Sequence, residues 1–218
     1  MQGLSIAGRQ RDSSFKILCL GAHSDDIEIG CGGTVLRLLD EYPSAEVVWV
    51  VLGAYGRRTA EARESANRFL AGAGKKEIVL REFRDGFFPY SGSQIKDFFE
   101  ELKGKVTPDL ILTHYRKDLH QDHRLVSELT WNTFRNHLIL EYEIVKYDGD
   151  LGRPNFYVRL SDALVKKKVE NLMDCFATQR DKGWFTEDTF LSILRLRGVE
   201  CNAPEKYAEA FYSRKAVY

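Results

Sequence analysis

The chain has no long apolar run. None of its segments reaches the ~18 consecutive apolar residues of a membrane span, and the opening MQGLSIAGRQRDSSFK lacks an export signal's apolar core and small-residue cleavage site. A soluble, unexported, cytoplasmic protein is expected. Charge of one sign is missing as well: Lys and Arg together number 32, as do Asp and Glu, so no net field favours nucleic acid or an anionic membrane surface. Cysteine is scarce, and Cys19, Cys31, Cys175 and Cys201 are scattered without CxxC spacing. That argues against a disulfide framework and against a Cys-type zinc site. Repeats, low-complexity tracts and Pro/Ser/Gly-rich linkers are also absent. The expected organisation of the 218 residues is therefore a flexible segment, 1–14, followed by a single domain, 15–218.

What is present is an alternation of short apolar runs with helical patterns over the first two thirds. This is the sequence form of βαβ units and a mostly parallel, Rossmann-like α/β sheet. FKILCLGA (15–22), AEVVWVVLG (45–53), KEIVL (76–80) and PDLILTHY (108–115) read as strands, and EYEIVKYD (141–148) and NFYVRL (155–160) as two later ones. Helices are expected after each of the first four strands, the second ended by the glycines of LAGAG, the third capped by Ser91 or Ser93, and the fourth formed by HQDHRLVSELTWNTFRNHL (120–138). A fifth, DALVKKKVENLMDCFATQ, is capped by Ser161 or Asp162. The last helices and the tail form a small C-terminal extension that packs on the sheet or makes a small lobe.

In an open α/β sheet, ligands gather beyond the carboxyl ends of the strands. Two histidine-aspartate clusters fall there: His23, Asp25 and Asp26 after the first strand, and His120, Asp122 and His123 after the fourth. The first precedes Gly30, Gly32 and Gly33, which suggests a phosphate cradle. Yet the spacing is GxGG rather than GxGxxG, and the neighbouring carboxylates would repel a pyrophosphate. A cation fits better. His23 and Asp26 can converge on one ion with Asp25 beside its open side, and a catalytic zinc takes three N/O ligands plus water. His120 or His123 completes the set; spacing does not decide between them. The bland alternatives are surface aspartates and helix caps, and two such clusters at the predicted ligand edge argue against both. His114 and His137 lack acidic neighbours and read as core or surface residues. Glu28 reads as a helix-start residue or a support for the ligands.

These blocks, AHSDDIEIGCGGT and HQDH, resemble the signatures of the LmbE-like or PIG-L-like zinc N-deacetylases, AHPDD-x-E-x-GCGGT and HPDH. The chain departs from them at Ser24 and Gln121, where the family commonly has proline. Weaker similarities are the R-x-x-E-A helix start at Arg58 and Glu61, FRDGFFPY, TPDLILTH and YAEAF, so that the resemblance spans about residues 15–212. The resemblance implies zinc held by His23, Asp26 and His123, with Asp25 as general base. It also implies His120 as oxyanion stabiliser, kept cationic and oriented by Asp122, with either Asp25 or His120 as the group that protonates the leaving amine. Some members carry an aromatic hydroxyl two residues before the first histidine of HPDH; here Asp118 stands there, and Tyr115 is only a weak substitute.

The implied reaction is hydrolysis of the N-acetyl amide of an amino sugar, free or in a nucleotide sugar, glycoside or glycan intermediate. Iron(II) or cobalt(II) could share the same donor set. Arg58, at the same sheet edge, is the candidate for holding a substrate hydroxyl or phosphate. The loop 147–157 and the pair Trp184 and Phe185 could touch a sugar, although an ordinary turn and core packing are the preferred readings for them. The alternatives are a zinc amidase for another acyl group or a non-sugar amide, and a non-catalytic metal- or glycan-binding module.

Overall fold

The computed structural model describes residues 15–217; the expected flexible segment 1–14 lies outside them. Among the described residues seven strands and six α-helices follow in this order: β1 (Lys16–His23), α1 (Asp26–Glu41), β2 (Glu46–Gly53), α2 (Arg57–Phe69), β3 (Lys75–Leu80), α3 (Gly92–Lys105), β4 (Leu110–His114), α4 (Gln121–Thr133), β5 (Leu138–Tyr142), β6 (Phe156–Leu160), α5 (Asp162–Cys175), α6 (Glu187–Glu200) and β7 (Tyr207–Ser213). The sheet runs β3-β2-β1-β4-β5-β7-β6. Its first five strands are parallel, and β7 lies antiparallel between β5 and β6.

The strands read as continuous apolar runs because both faces of the sheet are covered. Along β1, Ile17 and Cys19 point into one core and Leu18, Leu20 and Ala22 into the other. β2 does the same, with Val47, Trp49 and Val51 on the first side and Val50 and Leu52 on the second. From β1 the chain builds outward to β2 and β3, then returns to lay β4 on the other flank of β1. That reversal opens a crevice at the carboxyl ends of β1 and β4, where both histidine-aspartate clusters begin. All four cysteines are buried and free, and no helix among the described residues is long and apolar enough to cross a membrane.

Two boundaries differ from the sequence reading. The helix expected to run on to residue 138 ends at Thr133, where the Phe134 amide closes the last turn on Thr130 O at 2.9 Å and its ring is buried. The apolar residues Leu138–Leu140 suit a helical stripe as well as a strand, and register decides: Leu138 pairs with Leu110 and Tyr142 with His114. β5 therefore starts three residues earlier than the segment 141–148 and shares only Glu141 and Tyr142 with it. Ser91 stands before α3 without a side-chain cap, in a 3-10 turn containing Pro89, whereas Ser161 does cap α5 through the Leu164 amide.

The tail joins the sheet through a buried ion pair. Glu209 on β7 and Lys168 on α5 are 3% and 1% exposed, and Lys168 Nζ donates to Glu209 Oε1 at 2.6 Å. Glu209 also accepts from the amides of Gly33 (2.7 Å) and Thr34 (2.6 Å), and Lys168 donates to Ile29 O (2.7 Å). α1 is thus gripped in its middle. Its glycines permit the approach: a Cβ at Gly33 would lie 2.5 Å from a Leu160 methyl, and one at Gly30 would sit inside the Tyr142 ring. Gly30→Ala is accordingly expected to cost about 1–3 kcal/mol through overpacking, read as a lower urea midpoint with an unchanged m-value.

Candidate metal centre

β1 delivers His23 at its last residue, and Asp26 opens α1 three positions later. Asp25 occupies the N-cap position of α1 but makes no side-chain capping bond, so the reading of these aspartates as ordinary caps fails for it. On the other side of the crevice, the segment after β4 carries Asp118 and His120, and Asp122 and His123 lie in the first turn of α4.

Three atoms from the two clusters converge. His23 Nδ1 lies 3.1 Å from His123 Nε2, and Asp26 Oδ2 lies 3.4 Å from the first and 3.5 Å from the second. Tetrahedral ligands at metal distances of 2.0–2.1 Å would stand about 3.3 Å apart, so the spacing fits a small divalent ion. The far side of each ring is held by carboxylates. His23 Nε2 faces Asp85 Oδ1 (3.0 Å) and Asp122 Oδ2 (3.2 Å), and His123 Nδ1 faces Asp118 Oδ2 (2.9 Å). A ring nitrogen that gives its proton to a carboxylate leaves the other nitrogen's lone pair free, the usual support behind a metal-ligating histidine. His120 joins His23 and His123 in an overlapping donor group, and His114 joins Asp26 and His123 in another.

The electrostatics follow from burial and these pairings. Burial opposes the charge on His23, but Asp26 and the hydrogen-bonded Asp122 and Asp85 raise its pKa well above the ordinary imidazole value. Burial would raise the Asp118 carboxyl, yet the His123 hydrogen bond and the charges of His123 and Lys146 hold it below the usual range. Asp25 is raised, chiefly by burial, with Arg58 opposing. His114 is pushed down to about 4 by burial and by His123. Its Nε2 accepts from the Ala22 amide at 2.9 Å, and its ring stacks on His123 with centroids 4.0 Å apart. It is a neutral, buried support. Of the core and surface readings given for it, its burial selects the core one, and its 3.2 Å approach to Asp26 was invisible in its sequence neighbours.

Two residues have surroundings beyond what the resemblance implies. The Asp122 carboxylate accepts from the amides of Gly86 (2.6 Å) and Phe88 (3.1 Å) and faces His23, so it ties the loop after β3 to this side of the crevice, and it also shares a donor group with His120, His23 and Asp85. The surroundings of His120 push its pKa down: burial, then His123 and His23, lower it, and Asp122 opposes this less strongly. Its Nδ1 accepts from the Asp122 backbone amide (3.3 Å), which leaves the ring proton on Nε2. Arg58 does reach the site, but its Nη2 donates to Asp25 Oδ1 at 2.6 Å. Glu28 is fully buried and joins none of the donor groups.

Sequence reasoning missed three contributors. Asp85, on the loop after β3, is 41% exposed and closes one side of His23. Asp118 was considered only as a replacement for an aromatic hydroxyl, whereas it secures His123 and accepts from the His120 amide at 2.8 Å. Lys146, after β5, pairs with Asp118 at 3.0 Å and with Asp150 at 2.5 Å. The D-x-H-x-D-H spacing from Asp118 was the available signal for the second; the other two are long-range contacts.

The profile of the PIG-L family, described as GlcNAc-PI de-N-acetylase, matches residues 18–134, more than half of the chain. A diacetylchitobiose deacetylase of Thermococcus kodakarensis is 30% identical over 127 residues, covering 50% of this chain and 45% of that protein; the chain thus matches less than half the length of this curated relative. Among solved structures, the N,N'-diacetylchitobiose deacetylase of Pyrococcus horikoshii, complexed with its inhibitor MPG, superposes with a TM-score of 0.68 at 22% identity, covering 92% of this chain and 84% of that one. GalB, the 4-carboxy-2-hydroxymuconate hydratase of Pseudomonas putida KT2440, gives 0.68 at 17% identity, covering 94% and 98%. At these identities the structures share the fold, and a fold alone does not name a reaction. With the family profile lying across both halves of the metal centre, the chain belongs to the PIG-L/LmbE-like de-N-acetylase family.

Proposed function

We propose that the protein hydrolyses the N-acetyl amide of an amino sugar, using a divalent metal, zinc or alternatively iron(II) or cobalt(II), held by His23, Asp26 and His123. The observation that carries the reading is the convergence of His23 Nδ1, His123 Nε2 and Asp26 Oδ2 within 3.1–3.5 Å, each imidazole held from behind by a carboxylate. A metal bound there acidifies a water and polarises the acyl oxygen.

Asp25, next to the ligand Asp26 and held by Arg58, accepts the water's proton as the oxygen attacks the acyl carbon. His120 donates from Nε2 to the developing oxyanion, a role it fills as a neutral ring. The departing nitrogen then needs a proton. The lowered pKa of His120 and the raised pKa of Asp25 favour Asp25 as the group that returns it. Arg58 acts through Asp25, and a substrate hydroxyl or phosphate would be the partner for a guanidinium donor that Asp25 does not take.

The test loads the protein with zinc, iron(II) or cobalt(II) and measures free amine and acetate from N-acetylglucosamine and N,N'-diacetylchitobiose. One mole of metal per chain and metal-dependent amine release are expected. Bound metal without amine from any N-acetylated sugar would overturn the assignment. A hydration assay on an unsaturated carboxylic acid belongs beside it, because GalB shares the fold.

A further inference from the structure

Two segments beyond the metal centre meet through aromatic residues: the connection between β5 and β6, and the one between α5 and α6. The Gly183 amide donates to Tyr147 Oη at 3.1 Å, and the Tyr147 and Trp184 rings stand perpendicular with centroids 6.5 Å apart. Lys182 Nζ lies 5.5 Å from the Trp184 centroid. Tyr147 is 75% exposed although its hydroxyl is engaged, and Trp184 is half-buried against the core. Behind Trp184 stands Phe185, 1% exposed and packed on Phe190 with centroids 5.0 Å apart. Of the two sequence readings for this dipeptide, core packing therefore holds for Phe185, while Trp184 keeps an accessible surface.

This aromatic pair is fastened to both flanks of the metal centre. On α2, Arg58 and Glu61 are three positions apart and share a face. Arg58 grips Asp25, while Glu61 accepts from the Thr178 amide (2.9 Å) and hydroxyl (2.5 Å). The segment leading to Trp184 is thereby held one helical turn from the Asp25 pair. On the other flank Lys146, the residue before Tyr147, pairs with Asp118, which holds His123. The two segments that carry the pair are thus anchored on one side through Glu61, a turn from the Arg58 that holds the proposed base, and on the other through the Asp118 that holds a proposed metal ligand.

Resting on the deacetylase reading above, we infer that Tyr147 and Trp184 form a subsite for the sugar ring attached to the N-acetylated one, with Lys182 facing its hydroxyls. A pyranose offers a flat C–H face that suits a fixed aromatic ring, with hydroxyls around its edge for a cation to meet. Rings already held by the Gly183 and Phe185 contacts lose little freedom on binding, which favours affinity. The shelf is two side chains wide, far short of the ~800 Å² per partner of a stable protein interface. A single sugar ring matches it in size.

The experiment compares N-acetylglucosamine with N,N'-diacetylchitobiose as substrates of the metal-loaded enzyme and its Trp184→Ala, Tyr147→Ala and Tyr147→Phe variants. Calorimetric binding of the disaccharide to the same variants made in an Asp25→Asn background accompanies it. Trp184→Ala and Tyr147→Ala are expected to raise KM for the disaccharide about tenfold relative to the monosaccharide, with a matching loss in calorimetry. Tyr147→Phe keeps the ring and is expected to stay near wild type. An unchanged KM ratio, or a Tyr147→Phe loss as large as that of Tyr147→Ala, overturns the subsite, the latter showing that the hydroxyl serves only to hold the loops. If the parent releases no amine from either sugar, the deacetylase reading fails by itself. Calorimetry then still decides the subsite: disaccharide binding lost in Trp184→Ala supports it, and no binding overturns it.

Discussion

Asp25→Asn is expected to lower kcat by about 10²–10⁴-fold, the range of a lost general base, while metal content stays at the parent level. The substitution is nearly isosteric and leaves His23 Nδ1, His123 Nε2 and Asp26 Oδ2 in place, so binding of the ion and chemistry on it separate in one variant. Asn cannot accept the water's proton, and the Arg58 guanidinium that now donates to Asp25 Oδ1 at 2.6 Å loses its counter-charge. His123→Ala should behave differently, losing metal as well as activity and leaving Asp118 to Lys146 and the His120 amide. The pH profile supplies an independent check. Burial raises the Asp25 pKa and Arg58 opposes that rise; a base works deprotonated, so the acid limb of the rate lies at the raised value. Removing the opposing charge in Arg58→Met is therefore expected to move that limb to higher pH. An Asp25→Asn enzyme with near-parental kcat, or an acid limb that shifts downward in Arg58→Met, would remove Asp25 from the role of base.

Much of this site was legible because it depends on topology. Once β1 and β4 are read as parallel neighbours, the residues following them share one edge, and His23, Asp26, His120 and His123 can meet across a sequence gap of nearly a hundred residues. The same logic is silent where a loop's path decides. The resemblance gives Asp122 to His120, and only the loop after β3 shows the further partners, bringing the Gly86 and Phe88 amides to its carboxylate, which also faces His23. Lys146 gave no signal at all, since its partners Asp118 and Asp150 are set by the path of the chain after β5. Arg58 was placed at the correct edge, yet its pairing with Asp25 depends on a side-chain trajectory that spacing does not contain. β5 was displaced along the sequence because Leu138–Leu140 satisfy helix and strand periods alike, and only pairing with β4 distinguishes them. The chain end illustrates the general limit. YAEAF reads as a terminal fragment in sequence, and its insertion between β5 and β6 becomes visible only when Glu209 is seen to reach the middle of α1.

That insertion leads to the largest expected effect on stability. Glu209→Ala should destabilise the fold by about 3–5 kcal/mol, the cost of leaving one partner of a buried pair without its counter-charge. For a chain of this size the shift in melting midpoint would be on the order of 10 °C. Lys168, 1% exposed, would keep only Ile29 O of its present oxygen partners, and the Gly33 and Thr34 amides would lose the carboxylate they now reach. The reason is charge rather than volume, and a double-mutant cycle tests it. Lys168→Met alone should also destabilise, by stranding Glu209, whereas Lys168→Met combined with Glu209→Leu should recover part of the loss because no unpaired charge is left in the core. Recovery should stay incomplete, since the Thr34 hydroxyl, which now donates to Glu209 Oε2 at 2.5 Å, still lacks an acceptor. Additive single-mutant losses in the double variant would show that the pair is not coupled and would assign the effect to packing. The same grip bears on chemistry, because the helix that Glu209 holds at Gly33 begins at Asp26. In the Glu209→Ala protein, metal retention is therefore expected to weaken at temperatures where the fold, followed by circular dichroism, is still intact.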